Sequence, residues 1–295
     1  MHVAILSART GWHTDELLRA LGERGHTGYV VRYESVIAHV GGHEPAAALS
    51  SGKEQLLDAD AVLARIIPNG SLEQIIYRVD ALHWLEDRGV RVMNSPRAIE
   101  RCVDKFYTSA LMHEAGLATP ETRVCESVDD AMAAVRAMGD VIIKPLFGSM
   151  GHGMVRVSDP DVAFRILRSL DLARPVFYVQ RVIEHDGGDV RAFVVGDRVV
   201  AAIERRSTDG GWRTNVSLGG NASAIDLPPE SCAFALRAAR AVGADYAGVD
   251  LLPARDGAVY ALEVNGIPGW SGVQSTTSVD IAGAIVDHLI SVVSA

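Results

Sequence analysis

Lys144 closes an apolar, β-branched run and is followed at once by a loop carrying three glycines, VIIKPLFGSMGHGM over 141–154. A lysine on an otherwise buried strand must reach water, an acid or a ligand, because burying its charge unpaired is expensive. Glycines let backbone N–H groups approach an anion closely, which is why such loops cover phosphates. Taken alone, such a loop is more often a plain turn, and this one lacks the GK[ST] of a Walker A sequence. His152 lies in the same loop, where a solvent-exposed histidine is the simplest reading.

A second group of polar residues sits in apolar surroundings near the C-terminus. Asp250 falls within GVDLL, and Glu263 and Asn265 are two apart in VYALEVN. Residues i and i+2 of a strand face the same side, so Glu263 and Asn265 project together. Pairing the two segments as a hairpin can bring Asp250 to that face. Two carboxylates and an amide oxygen are hard donors suited to Mg²⁺ carried with nucleotide phosphates. A single acid here would read as a salt-bridged strand end; three oxygen donors on adjacent apolar strands favour a metal.

These side chains need a scaffold, and the hydrophobic pattern supplies one. His2–Ala8 is a short continuous apolar run, as expected of a strand buried on both faces of a parallel sheet. Thr14 is placed to cap a helix with Asp15 and Glu16 in its first turn, Leu17, Leu18 and Leu21 on its apolar face, and Gly25 at its end. Strands are expected at 29–33, 61–65 and 90–93, with a helix through Ile75, Val79 and Leu82 between the last two. This alternation predicts a small doubly wound α/β domain over the first 95 residues, without a dinucleotide-type GxGxxG. Asn94-Ser95-Pro96 closes it. One helix is expected from Arg97 to Gly116, then strands at 121–125, 141–144, 154–157 and 176–180, with helices at 128–138 and 160–170. The C-terminal third reads as antiparallel strands at 189–195, 198–204, 247–253 and 258–264, with helices at 229–242 and 279–293.

Length and composition bound the classes open to such a chain. Its 295 residues allow one large domain or two to three small ones. A net charge of -9 argues against a nucleic-acid binder. Cys102, Cys125 and Cys232 form no CxxC pair, so neither a zinc site nor a disulfide framework is indicated. No signal-peptide pattern or membrane-length apolar run is present, and a cytoplasmic protein is expected.

In this order the segments NSPRAIERCVDKFYTSALMHEAGLATPET, VIIKPLFGSMGHGM, GGDVRAFVVGDRVVAAIERR, WRTNVSLGG, AGVDLL and LEVNGIPGW resemble the ATP-grasp superfamily and, within it, the RimK-like alpha-L-glutamate ligases. The resemblance runs from about Asn94 to the C-terminus. It implies an ATP-grasp fold, α/β with an α+β C-terminal part, behind an N-terminal doubly wound α/β pre-ATP-grasp domain. The expected divisions are 1–95, 96–180 with the phosphate flap, and 181–295 with the metal site. ATP and Mg²⁺ are implied as cofactors, with Mn²⁺ as a substitute.

The resemblance also implies roles by position. Lys105 and Lys144 would contact the ATP phosphates, and the flap would be Gly148, Ser149, Gly151 and Gly153 with their neighbours. Gln180, Arg181 and Val182 match the hinge that receives adenine; Arg181 replaces the usual acidic residue, leaving backbone atoms to read the base. Asp189 matches a ribose-side contact, and Arg213 and Asn215 a phosphate-facing strand. Asp250, Glu263 and Asn265 match the Mg²⁺ ligands. Arg191 is a candidate for the substrate carboxylate, because a guanidinium fork binds carboxylates in bidentate fashion; the alternative is an ion pair with Glu204 or another acid. Arg213 and Arg191 are the expected catalytic side chains.

The implied activity is ATP-dependent joining of a carboxylate to an amine through an acyl phosphate, with glutamate added to a small cofactor-like acceptor. The Pro268-Gly269-Trp270-Ser271-Gly272 turn after the metal ligands, with the hydroxyls of Ser275, Thr276 and Thr277, would lie near that acceptor, and Ile267, Trp270, Ser271 and Gln274 differ from the RimK pattern there. There the chain resembles a subgroup associated with tetrahydromethanopterin biosynthesis, whose acceptor would be a pterin or furan precursor. Trp12 reads as a packing residue against the second domain. Two alternatives stand: a glutamate ligase acting on a protein tail or amino-group carrier protein, and a non-catalytic ATP-binding regulatory protein. A homodimer or homotetramer is expected, without nucleic-acid or membrane partners.

Overall fold

The computed structural model describes residues 1–42, 47–148, 152–207 and 221–294. The chain begins β1 (His2–Ser7), α1 (Trp12–Glu23) and β2 (Thr27–Arg32), followed by a small antiparallel sheet of β3 (Ile37–Val40), β4 (Ala47–Ser51) and β5 (Glu54–Gln55). It continues with β6 (Ala61–Ala64), α2 (Leu72–Asp87) and β7 (Arg91–Met93). β2, β1, β6 and β7 lie in that order in one sheet, all parallel. Alternate residues of β1 serve the two faces. Val3 and Ile5 belong to the core shared with α1, whereas Ala4 and Leu6 pack with Leu82 and Leu85 of α2. A strand apolar on both faces is therefore what a doubly wound sheet requires.

Two local expectations are corrected here. Thr14 is not the cap of α1 but stands three residues inside it, where its Oγ1 accepts from the Gly11 N–H at 2.9 Å and donates to the Gly11 carbonyl at 2.7 Å. The small sheet of β3–β5 was not expected, because Ile37-Ala38-His39-Val40 is exposed throughout and offers no clear alternation.

After β7 come α3 (Pro96–Val103) and α4 (Lys105–Glu114), in place of the one helix expected to Gly116. The break falls at Asp104, whose carboxylate accepts from the N–H groups of Phe106 and Tyr107 at 2.9 and 3.0 Å and so starts a new helix. Next are β8 (Thr122–Cys125), α5 (Val128–Met138), β9 (Val141–Pro145), β10 (Val155–Val157), α6 (Pro160–Asp171) and β11 (Phe177–Arg181). Their strands form an antiparallel sheet in the order β10-β9-β11-β8, with its own core of α5, α6, β9 and β11 side chains.

The last part contains β12 (Gly188–Val195), β13 (Arg198–Arg206), β14 (Asn221–Ala224), α7 (Pro229–Val242), β15 (Tyr246–Pro253), β16 (Val259–Asn265), α8 (Ser271–Gln274) and α9 (Ile281–Val293). Its five strands pair antiparallel in the order β14-β13-β12-β15-β16. One face, through Val190, Ala192, Val194, Val249 and Leu251, packs on α7. The other carries Phe193 and Tyr246 into the same core as Val3, Ile5 and α9, so the N-terminal domain and this sheet share a hydrophobic seam. No helix among the described residues is long and apolar enough to cross a membrane.

Candidate active site

Register alone assembles the acidic group. Asp250 is the direct partner of Glu263 across β15 and β16, and Gly248 is the partner of Asn265. Directly opposed residues share a face, so all three oxygen donors project from one side, and Gly248 leaves space beside Asn265. An added Cβ there would meet Pro268 at 3.3 Å and Arg191 at 3.5 Å.

The same face carries arginines from the neighbouring strands. Arg191 on β12 lies opposite Asp250 and grips it with two hydrogen bonds, Nε to Oδ1 and Nη2 to Oδ2, both 2.7 Å. Arg205 on β13 reaches Asp250 Oδ2 at 3.0 Å and forks onto Asp189, with Nε to Oδ1 at 2.8 Å and a short contact from Nη2 to Oδ2. Burial alone would raise the Asp250 carboxyl, but Arg191 and Arg205 outweigh it and hold it down at about 2. Glu263 moves the other way. Burial and the Asp250 charge raise it, against the pull of Lys105, Arg191 and Lys144. Among the described residues Glu263 has no hydrogen bond or ion pair, which leaves a carboxylate in want of a cation.

The basic side of the site comes from the middle sheet and α4. Lys144 on β9 donates to Gln180 Oε1 at 2.6 Å, and its Nζ sits 5.8 Å from the centre of the Tyr178 ring. Burial lowers its ammonium to about 8, assisted by Lys105 and resisted by Glu263 and Asp250. Lys105, the first residue of α4, donates to the carbonyls of Leu146 and Gly148 at 3.3 and 2.8 Å. Its pKa is also lowered by burial. Both ammonium groups thus lie close enough to Glu263 to act on its charge, and Lys144 to Asp250 as well, at the edge of the glycine loop.

The expected site residues separate into three groups. Lys105, Lys144, Asp250 and Glu263 converge, with Asn265 beside them; its Oδ1 accepts from the Ile267 N–H at 3.0 Å. Others are brought close but already engaged. The Arg191 fork holds Asp250, so the ion-pair alternative is the one the structure displays, with Asp250 in place of Glu204. Glu204 pairs with Arg206 at 2.7 Å instead. The Asp189 carboxylate is buried against Arg205. Gln180 is buried, with its amide nitrogen donating to Thr122 Oγ1 at 2.9 Å and Tyr178 Oη at 3.0 Å. Arg181 turns to Glu121 at 2.6 Å and to the Met138 carbonyl at 2.9 Å. The main-chain N–H groups of Arg181 and Val182 donate to the Glu121 and Asp140 carbonyls, so they are not open to a base as expected. Finally, Gly148 and Gly153 flank the loop with positive φ, and His152 is exposed, while Ser149, Gly151, Arg213 and Asn215 lie outside the described residues.

Trp270 requires a correction. It is completely buried, packed edge-on against His13 at 4.6 Å between ring centres and beneath Arg65, whose guanidinium carbon is 4.6 Å from the ring centre. A tryptophan in that seam cannot stack on an acceptor. Trp12 is 41% exposed and lies 6.1 Å from Trp270, beside the seam. Arg205, Glu121 and Arg65 were missed as functional neighbours. Arg205 had a usable signal, as a second basic residue on the strand paired with Asp189; the other two depend on contacts far apart in sequence.

The donor set suits a magnesium ion. No cluster of three His, Cys, Asp or Glu residues forms among the described residues. The third donor is an amide, however, and the unpaired Glu263 beside an arginine-held Asp250 is hard-oxygen chemistry.

Comparison with known proteins identifies the family. Residues 1–99 match the RimK PreATP-grasp domain and residues 102–289 match the RimK-like ATP-grasp domain. The tetrahydromethanopterin:alpha-L-glutamate ligase of Methanosarcina acetivorans is 34% identical, over 94% of this chain and 95% of its own. A probable alpha-L-glutamate ligase of Trichodesmium erythraeum is 36% identical, over 98% and 96%. Among solved structures, the ATP-grasp ligase PsnB complexed with minimal precursor superposes with a TM-score of 0.78 at 23% identity, covering 98% of each chain. The RimK domain ATP-grasp protein of Sphaerobacter thermophilus gives 0.73 at 24%, covering 98% of this chain and 100% of its own. The chain belongs to the RimK-like ATP-grasp family. It is a ligase of the ATP-dependent, amide-forming kind, and its family uses ATP and Mg²⁺.

Proposed function

We propose that this protein adds glutamate to the carboxylate end of a small, cofactor-like acceptor. The observation that carries the reading is the opposition of Lys105 and Lys144 to the Asp250–Glu263 pair beside the glycine loop. The ATP phosphates lie between these groups, beside Gly148 and Gly153. Adenine sits by the β11 end, read by main-chain carbonyls, since the Gln180 side chain and both hinge N–H groups are engaged within the sheet. Asp250, Glu263 and Asn265 would hold Mg²⁺, or Mn²⁺ in its place, which when bound would neutralise charge developing on the phosphates. Asp250 retains acceptor capacity for this, because two hydrogen bonds and one ion pair occupy only part of a carboxylate's four lone-pair sites.

An acceptor carboxylate oxygen attacks the γ-phosphorus, and the bond to the β–γ bridging oxygen breaks to release ADP. The two ammonium groups stabilise that transfer electrostatically. The amino nitrogen of glutamate then attacks the carbonyl carbon of the acyl phosphate. Phosphate leaves with the bond's electron pair, the nitrogen loses a proton, and an amide remains. Water must be excluded while the acyl phosphate persists, a task suited to the glycine loop.

Glutamate as the amine, and a pterin-type acceptor, are supported by the relatives named tetrahydromethanopterin:alpha-L-glutamate ligase in Methanosarcina acetivorans and Methanococcus maripaludis. The relatives named only as probable alpha-L-glutamate ligases name no acceptor, and a protein-tail acceptor is the second reading. The test is ADP release with ATP, Mg²⁺ and glutamate across small and protein acceptors, with mass spectrometry of the products. A glutamate-sized mass gain on a small acceptor supports the proposal. Gain on a protein tail alone transfers it to the second reading, and ATP binding without turnover on any acceptor counts against ligation.

A further inference from the structure

Beyond the donors themselves, the stretch immediately after Asn265 is held from the other side by the N-terminal domain. Asn94 Nδ2 donates to the Gly266 carbonyl at 2.5 Å and to the Tyr246 carbonyl at 2.7 Å, while its Oδ1 accepts from the Asp245 and Tyr246 N–H groups. Arg65 is 2% exposed and donates to the Pro268 carbonyl at 3.0 Å and to Tyr246 Oη at 3.2 Å, with its guanidinium against the Trp270 ring. His13 Nε2 accepts the main-chain N–H of Trp270 at 3.0 Å. The segment pinned in this way contains Ile267, whose N–H fixes the Asn265 amide oxygen.

We infer that Arg65 and His13 are positioning residues for the metal-binding end of β16: they clasp Pro268 and Trp270 across the domain seam and thereby set Asn265 and Glu263. The inference rests on the proposed donor set. Its physical basis is that metal ligands are only as well oriented as the groups behind them. A fully buried arginine spread over a carbonyl, a hydroxyl and an indole also exceeds what filling the seam with apolar side chains would need. Arg65 lies in VLARIIPNG, 185 residues before Asp250 in sequence, and touches no donor directly.

The test is calorimetric binding of ADP to the full chain, with and without Mg²⁺, for the unmodified protein, Arg65→Met and Arg65→Lys. The unmodified protein is expected to bind ADP more tightly with Mg²⁺. Arg65→Met should reduce that enhancement by about 10-fold, the effect typical of removing a group that orients a metal ligand, while metal-free ADP affinity stays unchanged. Arg65→Lys, able to keep one hydrogen bond, should recover part of the loss. Full enhancement in Arg65→Met, or equal weakening with and without Mg²⁺, overturns the clasp. Absence of any Mg²⁺ effect in the unmodified protein overturns the donor assignment and this inference with it. If Arg65→Met does not fold, the pair His13→Gln and His13→Leu decides: glutamine can accept the Trp270 N–H and leucine cannot. Loss of enhancement in leucine alone supports the clasp, and equal behaviour of the two overturns it.

Discussion

Lys144 shows what one side chain gains from its setting. Its ammonium is buried beside Tyr178 and Gln180, and burial brings it down to about 8, so it is partly neutral in mildly alkaline buffer. A bound triphosphate favours the charged form. Deprotonation of the free protein therefore competes with ATP, and kcat/KM for ATP should fall as pH rises through about 8. Lys144→Met should remove that limb of the profile and lower kcat/KM by about 10- to 100-fold, the range of one hydrogen bond to a charged group. A limb that persists unchanged in Lys144→Met would assign the ionisation elsewhere. Lys144 was legible from sequence because a lysine ending an apolar strand needs an explanation. Gln180 and Arg191 were legible as polar residues near the site but not in their roles. Which hydrogen bonds a polar side chain makes depends on partners in other strands, and Arg191's partner is 59 positions away.

At the scale of elements, the strands were legible and their interruptions were not. The Asp250–Glu263 pairing followed from strand periodicity and a short hairpin, because side-chain direction in a strand is fixed by count. The break between α3 and α4 was hidden, since the helical pattern of 97–116 continues across it. An aspartate that caps a new helix reads the same in sequence as one on a helix surface. The break matters because it makes Lys105 the first residue of α4 and aims it at the Leu146 and Gly148 carbonyls. Asp104→Ala should cost about 1 kcal/mol of stability, as for other helix caps, read from urea midpoints. It should also raise KM for ATP by loosening Lys105. An unchanged KM in a destabilised variant would show that Lys105 is held by the loop carbonyls without help from the cap.

Across the whole molecule, the distribution of cores indicates what can move. One cluster joins Val3, Ile5 and Leu17 of the N-terminal domain to Phe193, Tyr246, Trp270 and α9, and Arg91 bridges the same domains to Asp245 at 2.6 Å. The middle sheet instead packs on itself through α5, α6, β9 and β11. Lys144 rides on that self-contained sheet, with Gly148 and Gly153 at the ends of its strands' connection, whereas Asp250 and Glu263 are fixed in the seam-bonded body. A ligand gripped by both must couple them, because separately packed units open independently unless something binds across them. Hydrogen exchange with and without a non-hydrolysable ATP analogue and Mg²⁺ should therefore show slowed exchange in 141–157 and in β15–β16 together. The α1–α9 seam should be protected to the same degree in both states. Protection appearing first in the seam, or in only one of the two site segments, would mean that nucleotide does not bridge the two bodies and that the lysines and carboxylates act on separate ligands.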